Sequence, residues 1–311
     1  MVGLLYLGSG SAANAQFTTI PPPGAVGGAQ PTGIDGLNVI GVTRTGDGGY
    51  ASWLYNGSTF STFADPLAPD NTTAHCISGN LIGGQYVDAQ SHQHAFLYDG
   101  SNYTTITGNS SLNVLDVTGI SGNRYVGNAT DSNGHDVGYL YNGTSYQEIS
   151  DPSGGGYNLL TGISGHTVVG EYNSRSGLQA FEYDITTGLY SDFSFGGEKL
   201  TYLSGISGNT LVGTYQDISG LNHGFLYDGV SITTVDDPFS SLPRNGTLLT
   251  GVSGGTAVGY YADYSGTDTP FEYQFRPATP PASTPEPGSC ALFISAGLTC
   301  VGFARRRLAR R

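Results

Sequence analysis

At 311 residues, with 49 glycines, 21 tyrosines, one methionine and a single lysine, the chain is long enough to bury a core and poorly supplied for long helices. Only 11% of residues are charged, yet apolar and aromatic residues recur at regular places, which argues for short strands joined by tight turns and against disorder. The net charge is −13, and with five of the 11 basic residues gathered at 305–311 the part before residue 277 carries 23 acidic against six basic residues; this excludes a phosphate-neutralising nucleic-acid binder and leaves solubility outside a cell, or calcium bridging the carboxylates, as what the acidity is for.

The first element in chain order is residues 1–15. A brief apolar run is followed by small residues ending in Ala13-Asn14-Ala15, the A-x-A pattern of a secretory signal peptide, which would leave Gln16 as the mature start. The run is short and has no basic residues before it; a translation start assigned too far downstream accounts for both, and an unstructured terminus is the alternative.

Residues 16–276 are repetitive. Ile34, Ile77, Ile120, Ile163, Ile206 and Val252 each open an Ile-Ser-Gly-type triplet, four times separated by 43 residues and once by 46. A glycine follows seven residues later in every copy, at Gly41, Gly84, Gly127, Gly170, Gly213 and Gly259. Next comes an aromatic triplet beginning at Trp53, Phe96, Tyr139, Phe181, Phe225 or Phe271, and then a Tyr-Thr-Thr-Ile-like strand beginning at Phe60, Tyr103, Tyr146, Tyr190 or Ile232. The sixth copy of that last strand stands at the start of the body, Phe17-Thr18-Thr19-Ile20, whereas the triplet at Phe271 has none after it. Each end supplies what the other lacks.

A unit of 43 residues with four short strands fits one blade of a β-propeller, and a ring sealed by its own first strand hides both sheet edges. The expectation is therefore an all-β, six-bladed β-propeller closed by an N-terminal strand, with Phe17–Ile20 beside Phe271–Phe275. A β-helix has shorter rungs, and neither it nor stacked sandwiches explains the complementary ends. The repeated apolar positions are assigned to the core between blades, and the repeated strand glycine to a crowded place near the axis.

After the body come a Pro-rich linker at 277–287, an uncharged run expected to be a short C-terminal hydrophobic helix at 288–304, and a basic tail at 305–311. Pro285-Glu286-Pro287, the apolar run and Arg305, Arg306 and Arg307, in that order, resemble the PEP-CTERM sorting signal of exported bacterial proteins. The resemblance implies recognition by an exosortase-type processing enzyme, transient anchoring in the inner membrane of a Gram-negative bacterium with the Arg cluster on the cytoplasmic side, and delivery to the envelope or exopolysaccharide matrix. An ordinary membrane anchor is the alternative. Cys290 and Cys300 lie in the apolar run, so Cys76 is alone in the body and no disulfide framework is available there.

His94-Ala95-Phe96 and His223-Gly224-Phe225, with the surrounding glycine and aromatic motifs, are similar to the HAF family of extracellular repeats. Ala51, Val137, Gln179 and Thr269 replace the histidine in the other copies, and the family carries no defined chemistry to transfer.

Between the glycine strand and the aromatic strand lie turns with Asp88, Asp131, Asp217 and Asp263, expected to cap their own backbone, with a cation site as the rival reading. Asp88, His92 and His94 form the one compact cluster of metal-ligand type, because two histidines one residue apart on an extended chain face the same side. No HExxH, no GxSxG with a plausible triad and no phosphate-binding loop is present. The functional expectation is a non-catalytic binding or structural module with exopolysaccharide or envelope proteins as partners. The alternative is an extracellular polysaccharide lyase or glycosidase on the same scaffold.

Overall fold

The computed structural model describes residues 16–276 apart from 22–27, 47, 151–156, 175–176, 195–199, 241–245 and 263–265. Every regular element among them is a strand, and the strands form six antiparallel sheets, the blades of a six-bladed β-propeller. Blade 2 shows the plan: Thr72–Ser78 is innermost, followed outward by Leu81–Val87, Gln93–Tyr98 and Tyr103–Ile106. Blade 6 is completed from the other end of the chain. Its outer strand is Gln16–Thr19, paired antiparallel with Phe271–Gln274, and the Phe17 ring sits 5.3 Å from that of Phe271 and 4.9 Å from that of Tyr273. The closure expected from the complementary ends is the one found.

The core lies between sheets rather than beneath one. Trp53, Phe96, Tyr139, Phe181, Phe225 and Phe271, the first members of the aromatic triplets, are all fully buried. Each apolar cluster mixes neighbouring blades: Ile40 of blade 1 packs with Ala74, Ile82, Tyr86 and Phe96 of blade 2. Burial on both faces removes the alternation that a half-exposed sheet would show.

The Ile-Ser-Gly motif has two structural jobs. Its glycine opens the two-residue turn between the first and second strands with φ near +60°, as at Gly79 and Gly208, the conformation a type II′ hairpin requires at that position. Its serine then reaches the next blade. The Gly165 N–H donates to Ser121 Oγ (3.0 Å), Gly208 N–H to Ser164 Oγ (2.9 Å), Gly254 N–H to Ser207 Oγ (3.4 Å) and Gly36 N–H to Ser253 Oγ (3.1 Å). At the variant copy Asp35 takes the serine's role, and its Oδ2 accepts the Gly79 N–H at 2.6 Å. The chain of latches includes the junction that closes the ring.

The strand glycines are crowded, but not where the sequence reading put them. A Cβ on Gly213 would lie 1.9 Å from the Tyr202 carbonyl oxygen, and on Gly84, Gly259, Gly41, Gly127 or Gly170 it would lie 2.1–2.3 Å from the equivalent carbonyl of the same blade's innermost strand. In five blades that strand carries a register shift opposite the glycine, which pushes a carbonyl toward the second strand, and the ring of the aromatic triplet closes the other side in most copies. The axis is crowded instead by the glycine that precedes the Ile anchor. Gly119 and Gly251 would place a Cβ 2.9 and 3.2 Å from the Cα of the next blade's glycine, while Gly162 and Gly205 have no neighbour closer than 3.4 Å.

Blade 3 departs from the plan. Its innermost strand is broken into Leu112–Val114 and Gly119–Ser121, and Asp116 occupies the gap. The Asp116 carboxylate is held by the Asn128 backbone N–H (2.7 Å) and amide (3.1 Å), while the Tyr139 hydroxyl donates to the Asp116 carbonyl (2.8 Å).

Candidate functional site

The innermost strands all run toward the Ile-Ser-Gly turns, so those turns surround one mouth of the axial channel. The hairpins between second and third strands, with Asp88, Asp131 and Asp217, lie on the opposite face. Thr32, His75, Thr118, Thr161, Ser204 and Thr250, two residues before each anchor, form the waist: five hydroxyls and one imidazole. On the turn side the channel opens into a cavity of about 230 Å³. Toward the hairpin face it widens to about 360 Å³, and there Glu171 and Tyr202 join the lining.

Glu171 is the unusual group in this cavity. It follows the crowded Gly170 on the second strand, is 8% exposed, and its carboxyl makes no hydrogen bond among the described residues. Burial alone pushes its pKa up to about 7. The phenols of Tyr157 and Tyr202 are raised by their own burial and by the Glu171 charge, and Tyr202 lines the same cavity as the carboxyl. On another arc of the channel stands His75, and burial drives it and the Asp116 carboxyl in the blade 3 gap toward their neutral forms, the imidazole down and the carboxyl up, while their opposite charges act against that shift. The threonine hydroxyls of the waist donate to backbone carbonyls, as Thr32 to Ala74 (2.8 Å) and Thr118 to Leu160 (2.7 Å), so what the site offers a polar ligand is hydroxyl oxygens as acceptors and one desolvated carboxyl.

Neither Glu171 nor the waist was singled out in the sequence. The signal for the waist is a polar residue at a fixed offset from every anchor. For Glu171 it is the opposite, a charged residue where the other copies carry Val42, Gln85, Asn128, Thr214 and Tyr260.

The hairpin aspartates do cap their own backbones. Asp88 Oδ1 accepts the Gln90 and His92 N–H groups, Asp131 Oδ1 those of Asn133 and His135, and Asp217 Oδ1 those of Ser219 and Leu221. Each carboxyl is held at a pKa of about 2: at Asp88 by the His94 hydrogen bond first, at Asp131 by the His135 N–H, at Asp217 by the Ser219 hydroxyl. Asp263 lies outside the described residues, as do residues 1–15, Pro285, Glu286, Pro287, Arg305, Arg306 and Arg307.

The histidines of the HAF-like tripeptides share a stacking tyrosine and a turn aspartate in blades 2 and 5. His94 stacks on Tyr86 (5.0 Å) with Nε2 2.9 Å from Asp88 Oδ2, and His223 stacks on Tyr215 (5.0 Å) with Nε2 3.5 Å from Asp217 Oδ2. Both tyrosine hydroxyls pair with an outer-strand threonine, Thr105 or Thr234. The tripeptide histidine thus clasps a hairpin to its blade. In blade 2, His92 joins it, and the ligand atoms of Asp88, His92 and His94 lie within 4.8 Å of one another.

No family model and no curated protein matches this sequence. Among solved structures the chain is similar to the putative TolB from Agrobacterium tumefaciens, at a TM-score of 0.54 and 14% identity over 82% of this chain and 91% of that one. It is similar to TolB from Acinetobacter baumannii at 0.50 and 15% over 77% of this chain, and spans only 64% of that protein's length. A point mutant of the Aleuria aurantia lectin in complex with alpha-methyl-L-fucoside matches at 0.50 and 10%, over 82% of this chain and 97% of the lectin. At these identities the likeness is one of fold, and the chain is a six-bladed β-propeller of the architecture that these proteins share.

Proposed function

We propose that the chain is an exported bacterial protein of the envelope or exopolysaccharide matrix, and that its propeller is a non-catalytic module that binds a glycan or envelope protein through the hairpin face. The axial cavity carries this reading: about 360 Å³, with the six waist residues around it and the buried Glu171 carboxyl, which makes no hydrogen bond among the described residues. Such a carboxyl costs stability in the folded protein and is compensated when a ligand hydroxyl or amine hydrogen-bonds to it. A propeller of this fold holds a sugar in the Aleuria aurantia lectin complex, an analogy of scaffold only. The address rests on the ends of the sequence, the A-x-A pattern before Gln16 and the PEP-CTERM-like order from Pro285 to Arg307, with an exosortase-type enzyme as processing partner and the inner membrane as a transient anchor.

Mass spectrometry of the mature native protein tests the address. A start near Gln16 and loss of the residues after the Pro285 region are expected; a cytoplasmic protein with both ends intact overturns it. Glycan arrays and pull-downs with host exopolysaccharide test the binding. Retention that Glu171→Ala weakens roughly tenfold, the worth of one hydrogen bond to a charged group, is expected.

The second reading is an extracellular polysaccharide lyase or glycosidase, favoured by a Glu171 pKa of about 7 next to Tyr202, the range a general acid or base needs. A retaining glycosidase requires a second carboxyl about 5 Å away. Among the described residues only burial moves Glu171, so this reading stands as a lyase that abstracts a proton or an inverting glycosidase, whose two carboxyls lie further apart. Turnover of polysaccharide by the purified protein, abolished by Glu171→Gln, would establish it over the first.

A further inference from the structure

The three hairpins that carry Asp88, Asp131 and Asp217 provide an internal comparison. In blade 3 the turn aspartate has a histidine four residues on, with His135 Nδ1 3.2 Å from Asp131 Oδ2, and Val137 at the tripeptide position. In blade 5 it has the tripeptide histidine, His223, and Leu221 four residues on. Each histidine alone therefore has a place in hairpin structure. Only blade 2, among these three, has both: His94 Nε2 is 2.9 Å and His92 Nδ1 3.5 Å from the same oxygen, Asp88 Oδ2.

We propose that Asp88, His92 and His94 form a binding site for a divalent transition-metal ion of the zinc class. Two imidazole nitrogens and one carboxylate oxygen, all within 4.8 Å of one another, approach the separation of roughly 3.3 Å that tetrahedral ligands at about 2.0–2.1 Å from zinc require. Two of the three ligands are already oriented. Asp88 Oδ1 is occupied by the Gln90 and His92 N–H groups, which leaves Oδ2 aimed at the histidines, and the His94 ring is fixed against Tyr86. His92, whose side chain is 72% exposed, is the ligand that rotates to close the remaining distance.

Blade 5 shows what a hairpin without this capacity looks like. There His223 Nδ1 is taken by Asp236 at 3.0 Å and Nε2 faces Asp217, so the ring bridges two carboxylates on opposite sides and its ligand atoms do not converge. Thr107 stands in blade 2 where blade 5 has Asp236, so His94 is not drawn away. Two nitrogen donors select zinc, cobalt or nickel over calcium, which takes six to eight oxygens. Three protein ligands leave a coordination position open toward solvent, available to water or to an oxygen of a bound polymer.

The test is isothermal titration of the metal-stripped full-length protein with zinc chloride, repeated with calcium chloride, alongside His92→Ala, His94→Gln and, as a control on a hairpin of the same type, His135→Ala. One zinc per chain is expected, with the His92→Ala variant melting as the parent does but binding at least about tenfold more weakly, since a direct ligand matters no less than the outer partners that tune one. Calcium is expected to give no saturable heat that depends on His92. Cobalt binding supplies an independent readout through the visible absorption of a tetrahedral site. Zinc affinity unchanged in both His92→Ala and His94→Gln, or lowered equally by His135→Ala, overturns the proposal.

Discussion

In five blades a glycine on the innermost strand faces a β-branched residue across the ladder, as Gly33 faces Ile40, Gly119 Val126, Gly162 Val169, Gly205 Val212 and Gly251 Val258; in blade 2 Cys76 faces Gly83. The bulk has changed strands. Cys76 is 8% exposed, its thiol pKa driven upward by burial, and a Cβ on Gly83 would lie 2.9 Å from its Sγ and 2.7 Å from Val117 Cγ1. Cys76→Gly alone empties part of the core and adds glycine's backbone entropy, a loss of about 2–3 kcal/mol. Gly83→Val alone forces a branched side chain into atoms well inside contact distance, an overpacking cost of about 2–3 kcal/mol. The pair together restores the glycine-opposite-β-branched pairing of the other blades and removes the Sγ contact, while the Val117 contact remains. The double variant is expected about 2–3 kcal/mol below the parent, against about 4–6 kcal/mol for the two single losses added, a favourable coupling of about 2 kcal/mol between two touching positions. Thermal melts of the parent, both single variants and the double provide the assay, since each kcal/mol moves the midpoint by about 2–4 °C in a protein of this size. A double variant as unstable as the sum of the singles would refute the reasoning.

Gly213→Ala sets a methyl group 1.9 Å from a backbone oxygen and is expected to cost at least about 3 kcal/mol, whereas Gly162→Ala, with its nearest neighbours at 3.4 Å, is expected to cost under about 1 kcal/mol; denaturant melts compare the two. Asp35→Ala removes the acceptor of the Gly79 N–H and should lower stability by about 1 kcal/mol while speeding hydrogen exchange at that amide; unchanged exchange would show that the latch contributes nothing. Glu171 has its folded pKa raised from 4.5 to about 7, so the folded state favours the protonated form. The stability this contributes is complete below pH 4.5 and lost as pH rises through 7, about 3 kcal/mol in all. Unfolding measured from pH 4 to 8 should show that fall, and Glu171→Gln should flatten it.

The blade count and the closing strand were legible in the sequence because every blade buries both faces against near-identical neighbours. The same positions must then be apolar 43 residues apart, and a closed ring leaves no end without a partner. The HAF-like histidines were legible as residues but not as hairpin clasps, since the stacking tyrosine sits on a different strand and the threonine that holds it on a third. The strand glycines were recognised as crowded and assigned to the wrong neighbours. What crowds them is a carbonyl displaced by a register shift, and a register shift leaves no mark in residue identity.

By itself the sequence determined the repeat, its length and the way its ends complete one another, because these are properties of spacing along one chain. The cavity at the axis, the burial of Glu171 beside it, the exchange of bulk between Cys76 and Gly83 and the distances within the Asp88, His92 and His94 cluster were decided only in three dimensions. Burial and electrostatic isolation depend on what neighbouring strands and blades place opposite a residue. That is set by sheet register and ring closure, whatever the residues adjacent in the chain.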